Sequence, residues 1–214
     1  MTRSRIGLIG YGMGNITSLR NAFSAVGAEC FVAETPEALA RASHIVLPGV
    51  GAFPRGMERL RSLGFDDAVQ RYVVAGGRPL LGICLGMQLL ASEGEEHVTT
   101  TGLGLIPGRV VRLEARGLRV PHVGWNDTKR VGESSLLPVE SDGACFYYVH
   151  SYHFQPSRAE DGVMRCEYGE PFVAAVEHEQ IMGVQFHPEK SHAAGLALLK
   201  RFSVTGVPAG SLVG

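Results

Sequence analysis

One short segment around Cys84 constrains the fold of this chain more than any other. The fully apolar run 79–83 is typical of a buried strand, and it leads through Cys84 directly into the helical pattern 85–91. Gly82 and Gly86 complete the pattern G-x-C-x-G, in which small residues allow a strand and a helix to pack closely around a strained turn. The segment therefore predicts a cysteine version of the nucleophile elbow.

An elbow would place Cys84 at the N-terminus of a helix, where the aligned peptide dipoles favour a thiolate. The backbone N–H of Leu85 would then point to the place where an oxyanion forms during attack on a carbonyl carbon. The alternative is a buried structural cysteine, which is the usual state of a free cysteine. The elbow by itself leaves both interpretations open.

The first half of the chain alternates strand-like and helical patterns. Strands are predicted at 5–9, 29–32, 44–47 and 79–83. Helices are predicted at 17–26, at 35–42 with Thr35 as N-cap and Pro36 as the first helical residue, and at 54–74 with a break near Gly64. This alternation predicts an α/β fold of three layers with a mostly parallel sheet.

The second half consists mainly of strand-like runs joined by short polar turns, at 108–113, 119–123, 145–149, 164–168, 172–177 and 181–186. This pattern predicts an antiparallel extension of the same sheet rather than a separate domain. A last helix is predicted over 193–202, with Ser191 as its N-cap, and the tail 206–214 is expected to fray. We expect a single domain over residues 1–214, with its core at about 5–203.

The composition excludes several classes of function. The 20 Lys and Arg residues nearly balance the 21 Asp and Glu residues, so the net charge of −1 supplies no field to hold a nucleic-acid backbone. No apolar run approaches the roughly 20 residues that span a bilayer. Glycines at 10, 12 and 14 interrupt the first apolar run too early for a secretory signal. We expect a soluble cytoplasmic protein with neither a nucleic-acid nor a membrane partner.

No metal is expected either. The four cysteines are scattered without a C-x-x-C pair, which argues against a disulfide framework and against a thiolate zinc site: Cys30, Cys84, Cys145 and Cys166. His150 and His153 could suggest a metal site, but in one strand they would lie on opposite faces. No third ligand of a type that binds metal lies near them in the sequence.

A second motif, G-V-Q-F-H-P-E-K-S, places His187 just past a predicted strand. Pro188 stiffens the chain there, and Glu189 lies two residues on, so an extended stretch can direct both side chains to one place. A thiolate nucleophile needs a base, and the base needs an orienting carboxylate. The default for one histidine is a hydrogen-bonded loop residue, but a cysteine elbow together with H-P-E is rarely a coincidence.

The stretches G-I-C-L-G-M-Q and Q-F-H-P-E-K-S together resemble the class I (triad) glutamine amidotransferases. The resemblance implies that Cys84 is the nucleophile, that His187 is the general base and acid, and that Glu189 orients His187. Four further stretches resemble the glutaminase subunits of imidazole glycerol phosphate synthase: P-G-V-G-A-F, P-H-V-G-W-N, Y-Y-V-H-S-Y and G-M-G-N. The likeness extends over about residues 5–203, and Gly10 departs from the Asp that often begins the first glycine loop.

The same resemblance implies a glutamine-binding pocket and no cofactor. Gln88, one helical turn after Cys84, would hold part of the glutamine, although its spacing also fits a solvated helix residue. Backbone groups would hold the α-amino and carboxylate groups, and Gly51 would close the pocket; the backbone residues are Val149, His150 and Ser151. We expect the N–H of Val50 to join that of Leu85 in the oxyanion hole.

The resemblance also implies a partner, the cyclase (β/α barrel) subunit, in a heterodimer. Trp125, Tyr147 and Lys190 would lie on the docking face, with Asn15 near it. Trp125 stands in turn-like sequence, which favours partial exposure, and an exposed tryptophan is a natural interface anchor. The alternative is that both aromatic residues belong to the core.

The implied function is hydrolysis of glutamine to glutamate, with ammonia passed to the barrel for synthesis of imidazole glycerol phosphate. The chain has neither a G-x-x-x-x-G-K-[ST] phosphate loop nor G-x-G-x-x-G after its first strand, so the synthase chemistry must lie on another chain. Three alternatives are considered, of which P-G-V-G and H-V-G-W-N argue against the first, and an intact set of Cys84, His187 and Glu189 argues against the second. These are a glutaminase subunit for anthranilate, carbamoyl phosphate or pyridoxal phosphate synthesis, a binding-only regulator on this fold, and a cysteine hydrolase with an unrelated substrate.

Overall fold

The computed structural model describes residues 4–206, and every structural statement below concerns this part of the chain. The strands are β1 (Arg5–Ile9), β2 (Glu29–Ala33), β3 (His44–Gly49), β4 (Leu80–Cys84), β5 (Glu93–Gly94), β6 (Thr100–Thr101), β7 (Gly108–Arg112), β8 (His122–Arg130), β9 (Cys145–His150), β10 (Tyr152–Pro156), β11 (Gly162–Tyr168), β12 (Glu170–His178) and β13 (Ile181–Val184). The helices are α1 (Ile16–Ala25), α2 (Phe53–Ser62), α3 (Phe65–Val69), α4 (Leu85–Gln88) and α5 (His192–Phe202).

The main sheet contains nine strands in the order β2-β1-β3-β4-β13-β12-β11-β8-β9. The strands from β2 to β13 pair in parallel, with β4 between β3 and β13. The remaining strands, β12, β11, β8 and β9, continue the sheet in antiparallel pairing. The predicted parallel sheet with an antiparallel extension is therefore confirmed.

Helices cover both faces of the parallel part. Successive residues of a strand point to opposite faces, and in β3 Val46 belongs to the same apolar core as Phe23 of α1. Its neighbour Ile45 belongs to a second core, together with Met57 of α2. Because both faces are buried, these strands read as continuous apolar runs, and the three-layer prediction is confirmed.

A second, smaller sheet was not predicted. It has four strands in the order β10-β7-β5-β6, so the expectation that the run 108–113 extends the main sheet is wrong. Two of its strands, β5 and β6, have only two residues each, which is too short for a recognisable period. The run of aromatic residues continues from β9 into β10, so the sequence gives no boundary between them.

The strand predicted at 119–123 lies further along the chain. It begins at His122, after Pro121, and it continues to Arg130. The turn-like reading of Trp125 is wrong, because Trp125 lies within β8 opposite Tyr147 of β9. Trp125 is flanked by Gly124 on one side and by Asn126 and Asp127 on the other. All three have low strand propensity, which explains the error.

Some predicted ends and caps also differ. The helical pattern 85–91 ends at Gln88, and the predicted helix 35–42 is a 3₁₀ helix over Pro36–Arg41 without a side-chain cap from Thr35. The predicted break at Gly64 is confirmed by its left-handed φ of 74°. Between residues 4 and 206 no helix is both long and apolar enough to cross a membrane. Apart from Gly206, the predicted fraying tail lies outside the described residues.

Candidate active site

Cys84 stands on a strained turn between β4 and α4. Its φ of 53° and ψ of −110° are unusual for a residue with a side chain. The flanking glycines make the turn possible, because a Cβ on Gly86 would lie 1.8 Å from the carbonyl oxygen of Leu47, and one on Gly82 would lie 2.6 Å from that of Gly86. The predicted elbow is therefore present, and its thiol stands at the start of a helix.

His187 and Glu189 form a buried pair beside the elbow. His187 Nδ1 lies 2.9 Å from Glu189 Oε1, and both side chains are almost fully buried. The Glu189 carboxylate lies in a 3₁₀ helix, Pro188–Lys190, that follows His187 directly. Since Nδ1 is engaged by Glu189, Nε2 is the nitrogen available to Cys84.

Burial lowers the pKa of His187, but hydrogen bonds with Cys84 and Glu189, together with their negative charges, outweigh this effect and raise the pKa to about 10. The imidazole therefore carries a proton at neutral pH, which places a positive charge beside the sulfur of Cys84. A protonated histidine of this kind favours the thiolate and is ready to donate its proton to a leaving group.

The backbone of His187 is held by the edge of the main sheet. Its N–H donates to the carbonyl oxygen of Tyr147 in β9 at 2.9 Å, and the hydroxyl of Ser191 donates to the His187 carbonyl at 2.6 Å. The same Ser191 hydroxyl accepts the N–H of Tyr147 at 3.0 Å. Ser191 precedes α5 as predicted, but its side chain does not cap that helix. It joins the loop of His187 to β9 instead.

A cavity of about 360 Å³ opens in front of Cys84, a volume in the range of small-molecule sites. The structure brings eight of the predicted site residues together in its wall: Val50, Gly51, Cys84, Leu85, Gln88, Val149, His150 and Ser151. Pro121, Tyr152 and Glu96 complete the wall. Residues far apart in the sequence thus converge on one pocket at the carboxyl ends of the parallel strands.

Gln88 is a buried residue of this wall, so the solvated alternative is wrong. Its Nε2 donates to the carbonyl oxygen of Tyr152 at 2.8 Å and to Oε1 of Gln185 at 3.1 Å. Both amide hydrogens are used by these two bonds. The group of Gln88 that remains for a substrate is therefore its carbonyl oxygen, Oε1.

Glu96 was not identified from the sequence. It lies in the loop between β5 and β6, and its Oε2 accepts the N–H of Phe53 at the start of α2 at 2.7 Å. The bond satisfies one of the free N–H groups at the helix start, and it fixes the carboxylate at the pocket. No local pattern distinguishes Glu96 from Glu93 and Glu95, so only the fold reveals it.

Gln185 was also missed, although a signal existed. Gln185 and His187 are two residues apart at the end of the strand predicted over 181–186, a spacing that in an extended chain directs side chains to the same side. Gln185 is fully buried, and its Nε2 lies 3.8 Å from Cys84 Sγ. The motif therefore brings three polar side chains to the region of the elbow, namely Gln185, His187 and Glu189. Only the last two were predicted from the sequence.

The two histidines considered for a metal lie on successive strands, so placing them on opposite faces of one strand is wrong. His150 ends β9, His153 belongs to β10, and their rings lie 4.9 and 6.1 Å from that of Phe172. A third histidine is adjacent, since His122 Nδ1 lies 3.1 Å from His150 Nε2. Within residues 4–206, however, no group of three His, Cys, Asp or Glu residues is arranged to hold a metal ion.

The His122–His150 pair is neutral and orders the pocket wall. Burial lowers the pKa of His122 to about 4 and that of His150 to about 3. The carbonyl oxygen of Tyr152 accepts from His150 Nδ1 at 3.0 Å, so Nδ1 carries the proton. His150 Nε2 then accepts from His122 Nδ1. These bonds fix the chain from His150 to Tyr152, which lines the cavity.

The residues predicted for the partner face are neighbours on the surface. Trp125 is 46% exposed and meets the ring of Tyr147 edge-on at 6.0 Å. Lys190 Nζ lies 5.3 Å from the Tyr147 ring centre, and His192 stacks on Trp125 at 4.8 Å. Asn15 caps α1, whose first turns line a groove together with Lys190. Trp125 is therefore not a core residue.

Comparisons with known proteins identify the family. The family described as "Glutamine amidotransferase class-I" matches residues 8–205. The "Imidazole glycerol phosphate synthase subunit HisH" of Bacillus licheniformis is 45% identical over 202 residues, which cover 92% of this chain and 94% of that protein. The subunit of the same name from Methanothermobacter thermautotrophicus is 45% identical over 197 residues, which cover 92% of this chain and 96% of that protein.

The fold is shared more widely. A chain of the solved structure of PurLQS from Thermotoga maritima superposes with a TM-score of 0.73 at 17% identity, covering 94% of this chain and 98% of that one. At such low identity the likeness concerns the fold alone. From the family match and the close relatives together, the chain belongs to the class I glutamine amidotransferases and, within them, to the HisH subunits of imidazole glycerol phosphate synthase.

Proposed function

We propose that this chain hydrolyses L-glutamine at the Cys84 elbow through a thioester and delivers the ammonia to a cyclase subunit. As a member of the HisH family it is a glutamine-hydrolysing enzyme, the glutaminase subunit of imidazole glycerol phosphate synthase in histidine biosynthesis. The observation that carries the proposal is the pocket itself. It joins an elbow thiol, backed by a protonated His187, to the fixed carboxylate of Glu96 and to the chain at residues 149–151.

The proposed reaction begins with the thiolate of Cys84, which attacks the side-chain amide carbon of glutamine. The N–H groups of Leu85 and Val50 hold the oxyanion, while protonated His187 gives its proton to the amide nitrogen, and ammonia leaves. A water molecule then attacks the thioester and passes a proton to His187, whose orientation is maintained by Glu189. Glutamate leaves, and the thiolate is restored.

The polar groups of the pocket match the ends of a glutamine molecule. The backbone of Val149, His150 and Ser151 would hold the α-amino and carboxylate groups. Glu96, whose carboxylate is fixed by the N-terminus of α2, adds a counter-charge for the α-ammonium group. Gln88 would accept a hydrogen bond through Oε1, and Gly51 would close the pocket.

A trapping experiment tests this chemistry. The chain, in complex with the liganded barrel subunit, is mixed with glutamine, quenched in acid and analysed by peptide mass spectrometry. A glutamyl group on the peptide that contains Cys84 is the expected result. If Cys84 carried no glutamyl group but was acylated by an ester or amide of another class, the chain would instead be a cysteine hydrolase with an unrelated substrate.

For the partner, we propose the cyclase (β/α barrel) subunit, bound as a heterodimer to the face formed by Trp125, Tyr147 and Lys190, with Asn15 beside it. An exposed tryptophan supported by a stacked histidine is pre-organised for burial, and a cation beside it adds specificity. This face adjoins the segment that carries His187 and Glu189, so ammonia would have a short way to the partner.

Trp125→Ala is expected to weaken binding of the barrel subunit by about 2 kcal/mol or more, because the variant removes a large aromatic anchor. Isothermal titration calorimetry with the purified barrel measures this loss. Val131→Ala is a matched control, since Val131 is also an exposed apolar residue and directly follows β8. Unchanged affinity with a lowered melting temperature would make Trp125 a structural residue instead.

A gate in the loop Pro48–Gly51 would explain how glutamine is spared when the partner is idle. Gly49 is closely packed, since a Cβ there would lie 2.8 Å from both Leu85 Cβ and the Tyr11 hydroxyl oxygen. The Tyr11 hydroxyl donates to the carbonyl oxygen of Pro48 at 2.8 Å. Beyond this point Val50 is 44% exposed, and Gly51 has a φ of 111°. The peptide that carries the N–H of Val50 thus joins the packed Gly49 to the exposed end of the loop, and we place the rotation at this junction.

We propose that in the free chain this loop presents a carbonyl to the oxyanion site, and that the liganded partner turns the N–H of Val50 into place. Glutaminase activity is then expected to be low in the free chain and to rise by roughly 10²–10³ in the complex, the effect of one oxyanion donor.

Val50→Gly loosens this peptide, so the ratio of stimulated to basal activity is expected to change more than the affinity for glutamine. Steady-state kinetics with and without the liganded barrel measure both quantities. Val50→Ala is the control, because it shortens the side chain without freeing the backbone. A free chain that is already as fast as the complex would exclude the gate.

A further inference from the structure

Gln185 is a fully buried polar side chain with no role in the mechanism above. It follows β13, and its backbone N–H donates to the carbonyl oxygen of Ala174 in β12 at 2.9 Å. A buried amide is costly unless its hydrogen-bonding groups find partners. Two partners are present, Gln88 at the amide oxygen and Cys84 at the amide nitrogen.

The direction of these hydrogen bonds is fixed by one carbonyl group. The oxygen of Tyr152 can only accept, so Nε2 of Gln88 faces it. The other hydrogen on Nε2 of Gln88 then points to Gln185, which must present Oε1. The amide nitrogen of Gln185 is thereby directed to the sulfur of Cys84 at 3.8 Å, within hydrogen-bonding distance of a sulfur acceptor.

We propose that Gln185 is a further catalytic residue, which donates its side-chain N–H to the thiolate of Cys84. In the thiol form, the Sγ–H of Cys84 donates to the carbonyl oxygen of Val149 at 3.8 Å, so the thiol proton has a partner other than Gln185. A hydrogen bond to an ionised acceptor is about twice as strong as one between neutral groups. The bond therefore favours the thiolate over the thiol.

The same bond assists the second half of the reaction. Water attacks the thioester carbon, His187 takes the proton of the water, and a tetrahedral oxyanion forms. When this intermediate collapses, the carbon–sulfur bond breaks, and its electron pair goes to Sγ of Cys84. The N–H of Gln185 is already in place to receive the charge on sulfur, so the leaving group needs no rearrangement.

Other groups near the sulfur also influence its charge, and they must be separated from Gln185. His187, with Glu189 behind it, brings a positive charge. Tyr11 stays neutral, because burial above all, and also the charge of Cys84, raise its pKa well above the usual range. His150 stays neutral because burial lowers its pKa to about 3. Glu96 lines the same pocket, and a negative charge near the sulfur would oppose a thiolate.

The test is the pH dependence of Cys84 alkylation by iodoacetamide in the isolated chain. Peptide mass spectrometry follows Cys84 separately from the exposed Cys145. Gln185→Met removes the donor but keeps a side chain of similar length, and the midpoint of the profile is expected to rise by about one pH unit. Gln185→Glu keeps the shape of the side chain but places a carboxyl oxygen beside the sulfur in place of the N–H donor. We therefore expect a larger rise in the midpoint of the alkylation profile.

Gln180→Met is the matched control. Gln180 lies just before β13, and its Nε2 donates to the carbonyl oxygen of Val73 at 3.1 Å, far from the elbow. This variant loses one side-chain hydrogen bond but is expected to keep the wild-type alkylation profile.

Glutamine turnover at neutral pH is expected to fall about ten-fold in Gln185→Met, mainly in kcat.

The alkylation profile decides between this role and a structural one. If Gln185 only supports Gln88, its variants raise KM for glutamine and leave the midpoint unchanged, which overturns the proposal. If Gln185→Met fails to fold by circular dichroism, Gln185→Glu supplies the same comparison. The inference rests on Cys84 as the proposed nucleophile. His187→Asn tests that point separately, since a midpoint insensitive to both His187 and Gln185 would count against the proposed chemistry itself.

Discussion

Replacing Cys84 with alanine is expected to abolish glutamine-dependent synthesis by the complex, while synthesis from added ammonium salts continues. The loss should amount to several orders of magnitude, because a variant without its nucleophile retains only binding and oxyanion stabilisation. Free ammonia bypasses the step that Cys84 performs. Product formation measured with each nitrogen source, on the same preparation, separates the two activities.

Cys145→Ala is the control for this variant, since Cys145 is exposed on β9 and distant in sequence from the elbow. It is expected to retain both activities. If Cys84→Ala also lost the ammonia-dependent reaction while it stayed folded and bound to the barrel, the proposed division of labour between the two chains would be wrong.

His187→Asn should cost nearly as much as the loss of Cys84. The variant removes the positive charge beside the sulfur, the acid that protonates departing ammonia, and the base that activates water. Glu189→Gln should cost less, since orientation is a smaller contribution than proton transfer. Steady-state kinetics of the two single variants and the double variant measure these effects, which should not add because the pair acts as a unit.

The pH dependence of these variants supplies an independent check. In the wild-type chain the pKa of His187 is raised to about 10, so its protonated form persists until the pH approaches that value. Glu189→Gln removes one of the groups that raise the pKa, and the alkaline limb of activity should move to lower pH. A Glu189→Gln variant as inactive as His187→Asn at every pH would show that Glu189 does more than orient the ring.

The sequence predicted the parts of the site that depend on local chain geometry. The elbow at Cys84 is set by two glycines within two residues of it, and the His187–Glu189 pair by an H-P-E turn. Their patterns are recognisable within a few residues of the chain, although the packed conformations also involve Leu47 and Tyr147. Cys84, His187 and Glu189 could therefore be proposed as site residues without knowledge of how distant segments pair.

The residues that were missed or misplaced depend on contacts between distant segments. Glu96 reaches the pocket because its carboxylate binds the N-terminus of α2, about 40 residues earlier in the chain. His122 meets His150 because the two residues face each other across β8 and β9, a register that no local pattern shows. The break between β9 and β10 follows a change of sheet rather than a change of composition.

The bonds that join the loop of His187 to β9 have a consequence for the free edge of the main sheet. β9 is the last strand in that sheet, and an unpaired edge offers its backbone groups to any passing strand. At Tyr147 both groups are occupied, the carbonyl by the N–H of His187 and the N–H by the hydroxyl of Ser191. The loop of His187 therefore also covers part of the free edge of the sheet. If this loop moved away, the backbone groups of Tyr147 would be free to pair with a strand of another molecule. The position of His187 therefore protects the sheet edge from aggregation, independently of catalysis.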